Sequence, residues 1–141
     1  MPKLFTFPNR YTKGVTTTAN HLAIVGPATA WPGERPFAGK PKDGMSETIL
    51  LAENDGLGVH WMEPRDLEFD TMSFNLESPR GISSPYRTPA VATVDATIRS
   101  FTEGIDPEAV RAMATANGGE TIREEGGAWR VIEDGRQREL K

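Results

Sequence analysis

Between Gly26 and Gly44 the chain places four prolines and four glycines. No helix or strand runs through such a stretch, because proline fixes φ and lacks an amide donor while glycine loses the most backbone entropy on ordering. The same punctuation continues elsewhere, with 14 Gly and 11 Pro among 141 residues. Many turns and short elements follow, and a helical bundle is excluded. The length suits one domain with one core.

Short apolar runs between the turn signals supply the strands. His21-Leu22-Ala23-Ile24-Val25, closed by Gly26-Pro27, reads as a buried strand, and Glu47 to Glu53, bounded by Asp43-Gly44 and Asn54-Asp55-Gly56, as the main core strand. Within it Ile49 and Leu50 are expected at the centre of a sheet. Gly58 to Met62 is expected as its hairpin partner. Ala90 to Val94 and Thr97 to Phe101 flank Asp95-Ala96, a spacing that predicts a two-residue hairpin turn in which Ala96 carries a strained positive φ. In the Gly26 to Gly44 loop, Trp31 and Phe37 are the expected anchors.

One helix is predicted from Pro107 to about Asn117. Asp106 suits the N-cap, Pro107 the first turn and Gly118 the C′ position. Ile105 and Val110 occupy staple positions, and Val110, Met113 and Ala114 form an apolar stripe that should pack on a sheet. The domain is accordingly expected over residues 1–122, with 1–20 as an irregular lead-in. Residues 123–141 carry five basic and five acidic side chains; they read as a weakly held charged tail with one strand at Trp129 to Glu133.

A net charge of −4 and a sequence pI near 5.2 argue against nucleic acid or anionic lipid as partners. The absence of cysteine removes disulfides, thiolate metal sites and a cysteine nucleophile. No run approaches the roughly 20 apolar residues of a membrane span, and Met1 to Arg10 lacks the apolar core of a signal peptide.

Candidate chemistry is sparse. His60, Glu63 and Asp66, with His21, have the ligand types of a zinc or manganese site, but Pro64 disfavours the helix on which ligands three apart would converge. Asp43 opens Asp43-Gly44-Met45-Ser46-Glu47, an oxygen-rich loop that with Glu53-Asn54-Asp55-Gly56 makes calcium the better metal candidate. Neither matches an EF-hand, and Asp/Asn-Gly turn formation accounts for both. Ser46, Ser83 and Ser84 lie in no nucleophile-elbow setting, and the loop glycines form no phosphate-cradling motif. Trp31 and Trp61 are the candidates for a ligand-binding aromatic surface, set against their ordinary role as core and loop anchors.

Five segments, in order, carry a resemblance: Gly26-Pro27-Ala28-Thr29-Ala30 with its Gly-rich loop, Asp43 to Glu53, Trp61-Met62-Glu63-Pro64-Arg65-Asp66-Leu67, the hairpin around Asp95, and the helix ending Asn117-Gly118-Gly119-Glu120. Together they resemble the globular part of the large planctomycete family of prepilin-like proteins with a domain of unknown function, over roughly Pro2 to Ile122. The resemblance implies a pseudopilin-like domain carried outside the cytoplasmic membrane by an upstream apolar stalk helix. From Met1 onward that helix is missing, which makes the chain a piece of a longer protein or a stalkless relative. The family's histidine, nine residues, then Asp-Gly is replaced by Tyr86, eight residues, Asp95 and Ala96.

The expected fold is therefore α+β: an antiparallel, pseudopilin-like sheet with a short C-terminal helix packed on it and long irregular loops. The expected function is a non-enzymatic structural or interaction domain at the cell envelope, with protein partners and no cofactor. The alternatives are a small-molecule or carbohydrate binding module using Trp31 and Trp61, and a metal-dependent hydrolase using His60, Glu63 and Asp66.

Overall fold

The computed structural model describes residues 17–33, 39–126 and 128–133. The elements run β1 (His21–Val25), β2 (Ile49–Glu53), β3 (Leu67–Glu68), β4 (Ala90–Thr93), β5 (Ile98–Ser100), α1 (Pro107–Ala114), β6 (Thr121–Glu125) and β7 (Ala128–Glu133). Five strands form one sheet in the order β3-β1-β2-β4-β5, and β6 pairs with β7 in a separate two-stranded sheet. The arrangement is a small α+β fold. All pairings are antiparallel except β1 with β3, which is parallel; the main sheet is mixed rather than purely antiparallel.

Alternation along each strand separates two faces. Leu22, Ile24, Ile49, Ala52 and Val91 point inward, where they meet Phe101, Ile105, Ala109, Val110, Met113 and Ile122. Val59, Leu67, Met72 and Ile82 extend this core beneath the segment between β2 and β4. Fully burying side chains such as Ile24, Ile49 and Met113 contributes about 1.5–3 kcal/mol each.

β2 is the third of five strands, as its composition predicts. Its two central apolar residues differ, however. The register moves from Ile49 opposite Thr93 to Leu51 opposite Ala92, so Leu50 is the extra residue of a β-bulge. Ile49 is fully buried while Leu50 is only half-buried. The Leu50 carbonyl instead accepts the Trp31 indole N–H at 2.8 Å. That bond, and a bridge between Val25 and Trp31, pin the Pro/Gly loop to the sheet. Phe37, the other expected anchor, lies outside the described residues, as does most of the 1–20 lead-in.

Gly58 to Met62 does not form the hairpin partner of β2. The neighbours of β2 are β1 and β4, and His60 makes only an isolated bridge to Thr18. The partner that local spacing suggested is displaced by strands that are distant in sequence.

α1 begins where predicted. The Asp106 carboxylate accepts from the Glu108 amide at 3.0 Å, Pro107 opens the first turn, and the staple residues Ile105 and Val110 are both buried. The helix ends three residues early, at Ala114, and Gly118 is not its C′ residue. Thr115 turns extended with its amide and hydroxyl both on the Ala112 carbonyl, and the Ala116 amide leaves for the Ala28 carbonyl at 2.8 Å. A tertiary hydrogen bond thus stops the helix before its glycine.

Nor is α1 the last element. Residues 121–133 form the β6–β7 hairpin across the expected boundary between Ile122 and Arg123, and α1 contacts both strands. Its hold is slight in apolar terms: Ile122 is buried, Trp129 and Val131 are half-buried, and the Arg99 guanidinium stacks 4.7 Å above the Trp129 ring. The polar composition concealed the pairing because a two-stranded ribbon satisfies its backbone through the ladder and needs only one apolar side. Residues 134–141, including Leu140, lie outside the described residues.

The bulge separates two adjacent leucine-sized side chains in energy. Ile49→Ala is expected to cost about 2–5 kcal/mol through the cavity it leaves, whereas Leu50→Ala should cost about 1 kcal/mol or less. Urea titration of both variants at unchanged m-value checks the order, which a larger loss at Leu50 would reverse.

Candidate interaction surface

The residues singled out as metal or catalytic candidates are placed apart or are engaged by the backbone. The Asp43 carboxylate accepts from the amides of Gly118 and Gly119 at 2.7 and 2.8 Å, tying the turn after α1 to the Pro/Gly loop. Asp66 accepts from the Ala23 amide at 2.9 Å and so closes the edge of β1 beside the two-residue β3. Glu63 accepts from the His60 amide and pairs with Arg65 at 2.9 Å, while His60 Nδ1 accepts from the Met62 amide at 3.3 Å. His21 stands 4.0 Å from Glu53, whose other oxygen accepts from the Ala90 amide at 2.8 Å. Among the described residues no three His, Asp or Glu side chains converge as metal ligands.

The two candidate tryptophans sit in different settings. Trp31 is half-buried with its indole N–H committed to Leu50, whereas Trp61 is exposed on the loop after β2. A groove of about 140 Å³, lined by Leu57, Leu67 and Met72 with Arg65, Arg80 and Glu68 at its polar parts, opens beside β3. Pockets that bury a drug-sized molecule occupy roughly 300–1,000 Å³, so this groove is well below that size.

The outer face of the main sheet has a different character. Register places Ala23 opposite Leu51, Leu51 opposite Ala92, and Ala92 opposite Ile98. Four apolar residues therefore form one row across four adjacent strands. Ala23 and Ala92 are half-buried, but Leu51 is 38% and Ile98 68% exposed. At this exposure most of the Ile98 side chain faces water. The opposite face of the same strands is the core, so register fixes which residues share the outer row.

The hairpin that presents Ile98 is built with care. The sequence spacing predicts a two-residue turn; the structure has three loop residues, because the Ala96 amide donates to the Thr93 carbonyl and the Thr93 amide to the Thr97 carbonyl, both at 2.9 Å. This is a type I turn followed by a residue in the left-handed region, and Ala96 is that residue with φ +65°. Asp95 closes the loop: one carboxylate oxygen accepts from the Thr93 hydroxyl at 2.6 Å and the Thr97 amide at 3.1 Å. The Thr93 hydroxyl, then the Thr97 amide, hold the Asp95 carboxyl below its ordinary value of 3.8. The Val94 and Asp95 amides donate to Thr48 and Met45 carbonyls at 3.0 and 3.1 Å, which locks the turn against the loop leading into β2. Tyr86, at the place of the resembled family's histidine, is exposed and has its amide on the Ser84 hydroxyl.

Two measurements bear on this hairpin. Ala96→Gly should stabilise the domain by up to about 1 kcal/mol, since glycine adopts the left-handed region without the Cβ penalty; destabilisation in a thermal melt would contradict the strained turn. Because the Asp95 pKa is depressed on folding, its contribution to stability is present above the unfolded value and is lost as pH falls through the folded one. An NMR titration should find Asp95 ionising below 3.8, and Thr93→Val should raise that pKa; an unchanged value would contradict the hydroxyl's role. No protein-family model, curated protein or solved structure matches the chain in comparisons with known proteins.

Proposed function

We propose that the chain is a non-enzymatic interaction domain that docks protein partners on the outer face of its main sheet. The observation that carries this reading is the exposed apolar row Ala23, Leu51, Ala92 and Ile98, held in register by four strands whose other side is the core. Supporting it, two polar residues of this face are engaged with their neighbours: Glu53 with the Ala90 amide, and His21 beside Glu53. Rigid strands with a central apolar strip and a polar rim have the anatomy of a protein-binding patch. The resemblance to the globular part of prepilin-like proteins adds the setting, a pseudopilin-like domain displayed at the cell envelope. Among the described residues no helix is long and apolar enough to cross a membrane, so envelope placement in this reading depends on sequence outside them.

A photo-reactive residue in place of Leu51, in the native cell, should cross-link to protein at least about ten times more than the same residue in place of the exposed Glu108. Equal yields at the two positions would contradict the reading.

A further inference from the structure

The turn after α1 holds a reactive dipeptide. Asn117 is the only asparagine in the chain that a glycine follows, and both residues are exposed. In such a pair the glycine nitrogen can attack the asparagine Cγ, because glycine has no side chain to hinder the approach. The fold needs the glycine: a Cβ at Gly118 would overlap the Glu120 carboxylate and crowd the Thr115 hydroxyl. Each reacting group has a partner. The Lys42 backbone amide donates to Asn117 Oδ1 at 3.1 Å. The Gly118 N–H donates to Asp43 Oδ2 at 2.7 Å, and the Gly119 N–H to Asp43 Oδ1 at 2.8 Å.

We propose that Asn117-Gly118 is a site of spontaneous deamidation, held closed in the folded domain by the Asp43 carboxylate. In the first step the Gly118 amide loses its proton, its nitrogen bonds to Asn117 Cγ, and the Cγ–Nδ2 bond breaks; Nδ2 leaves as ammonia with that proton. Water then opens the cyclic imide at either carbonyl, giving aspartate in an ordinary backbone or isoaspartate linked through its side chain. The two observed contacts oppose each other. The Lys42 N–H points at the oxygen that gathers charge when Cγ is attacked, which favours the step. Asp43 holds the proton that must leave and sets a negative charge beside the nitrogen that must become an anion, which disfavours it. The Glu120 carboxylate against Gly118 acts in the same sense. Hydrogen bonds to a charged acceptor are about twice as strong as neutral ones, and Asp43 accepts from both glycine amides, so the restraint prevails. Once deamidated, the site resists reclosing: either product adds a carboxylate beside Asp43, and isoaspartate also lengthens the backbone between α1 and β6. The bonds at stake are those that tie this turn to the Pro/Gly loop.

Peptide mapping by mass spectrometry during incubation at mildly alkaline pH reads the reaction at Asn117. The native protein should deamidate there at least about ten times more slowly than the same chain unfolded in guanidinium chloride, the scale set by one or two hydrogen bonds. Asp43→Ala, with a circular dichroism spectrum showing that it folds, should lose most of that protection. Hydroxide-catalysed hydrogen exchange passes through the same nitrogen anion and needs no variant. In the native protein the exposed Gly118 amide should exchange at least about ten times more slowly than in the unfolded chain, and this measurement decides if Asp43→Ala does not fold. Native deamidation as fast as in the unfolded chain, an unprotected Gly118 amide, or a folded Asp43→Ala variant that deamidates no faster than the native protein would each overturn the proposal.

Discussion

One buried amide holds the two halves of the main sheet in place. Asn54, at the end of β2 and 2% exposed, accepts from the amides of Gly56 and Leu57 at 3.1 and 2.9 Å and donates to the carbonyls of Pro79 and Gly81 at 3.1 and 2.7 Å. Its backbone exchanges two further bonds with Asn20, before β1. Every donor and acceptor of the side chain is thereby used. The long return from β3 to β4 contains no regular structure, so its backbone groups depend on such side-chain partners. Close approach makes the tie possible: a Cβ at Gly56 would overlap Pro79 Cα, and one at Gly81 would overlap the Ser73 carbonyl oxygen. Ser83 adds a second stitch, its amide on the Glu53 carbonyl and its hydroxyl accepting from Asp55, both at 3.0 Å.

From this tie follows the approach of the chain to β4 beside β2. Since residues 54–57 and 79–83 are clamped together, Val59 and Ile82 are carried into the core and Pro89 is brought to where its carbonyl meets Phe101. The Pro/Gly loop is clamped by different means, through the Trp31 indole at one end and Asp43 at the other. Carboxylates and an amide that resemble ligands in the sequence thus serve as the missing backbone partners of a loop-rich fold.

What was legible in the sequence was what is decided locally. β1 appears with the bounds its apolar run suggests, the start of α1 follows from Asp106, Pro107 and the Ile105–Val110 staple, and the strain at Ala96 follows from its place after Asp95. The α+β class follows from the alternation of short strands with one helix. What was not legible depends on distant partners. The early end of α1 needs the Ala28 carbonyl, the bulge at Leu50 needs β4, and the parallel β3 needs Asp66 beside Ala23. Asn54 reads in sequence only as the stop of a strand, because its side-chain acceptors lie 25 and 27 residues away. The exposed apolar row was missed for the same reason. Leu51 and Ile98 each sit in a run that reads as core, and only the register reveals that they share the outer face.

The claim that Asn54 ties the sheet together is tested most directly by native-state amide hydrogen exchange. Exposed loop amides ordinarily exchange by local opening, whereas amides released only by global unfolding exchange at the slowest rates in the molecule. If the Asn54 carboxamide is a tie whose loss unfolds the domain, the Gly56 and Leu57 amides should exchange as slowly as those of Val91 in β4, with the same dependence on denaturant. Exchange of Gly56 and Leu57 at loop-like rates, insensitive to denaturant while Val91 stays protected, would contradict the account.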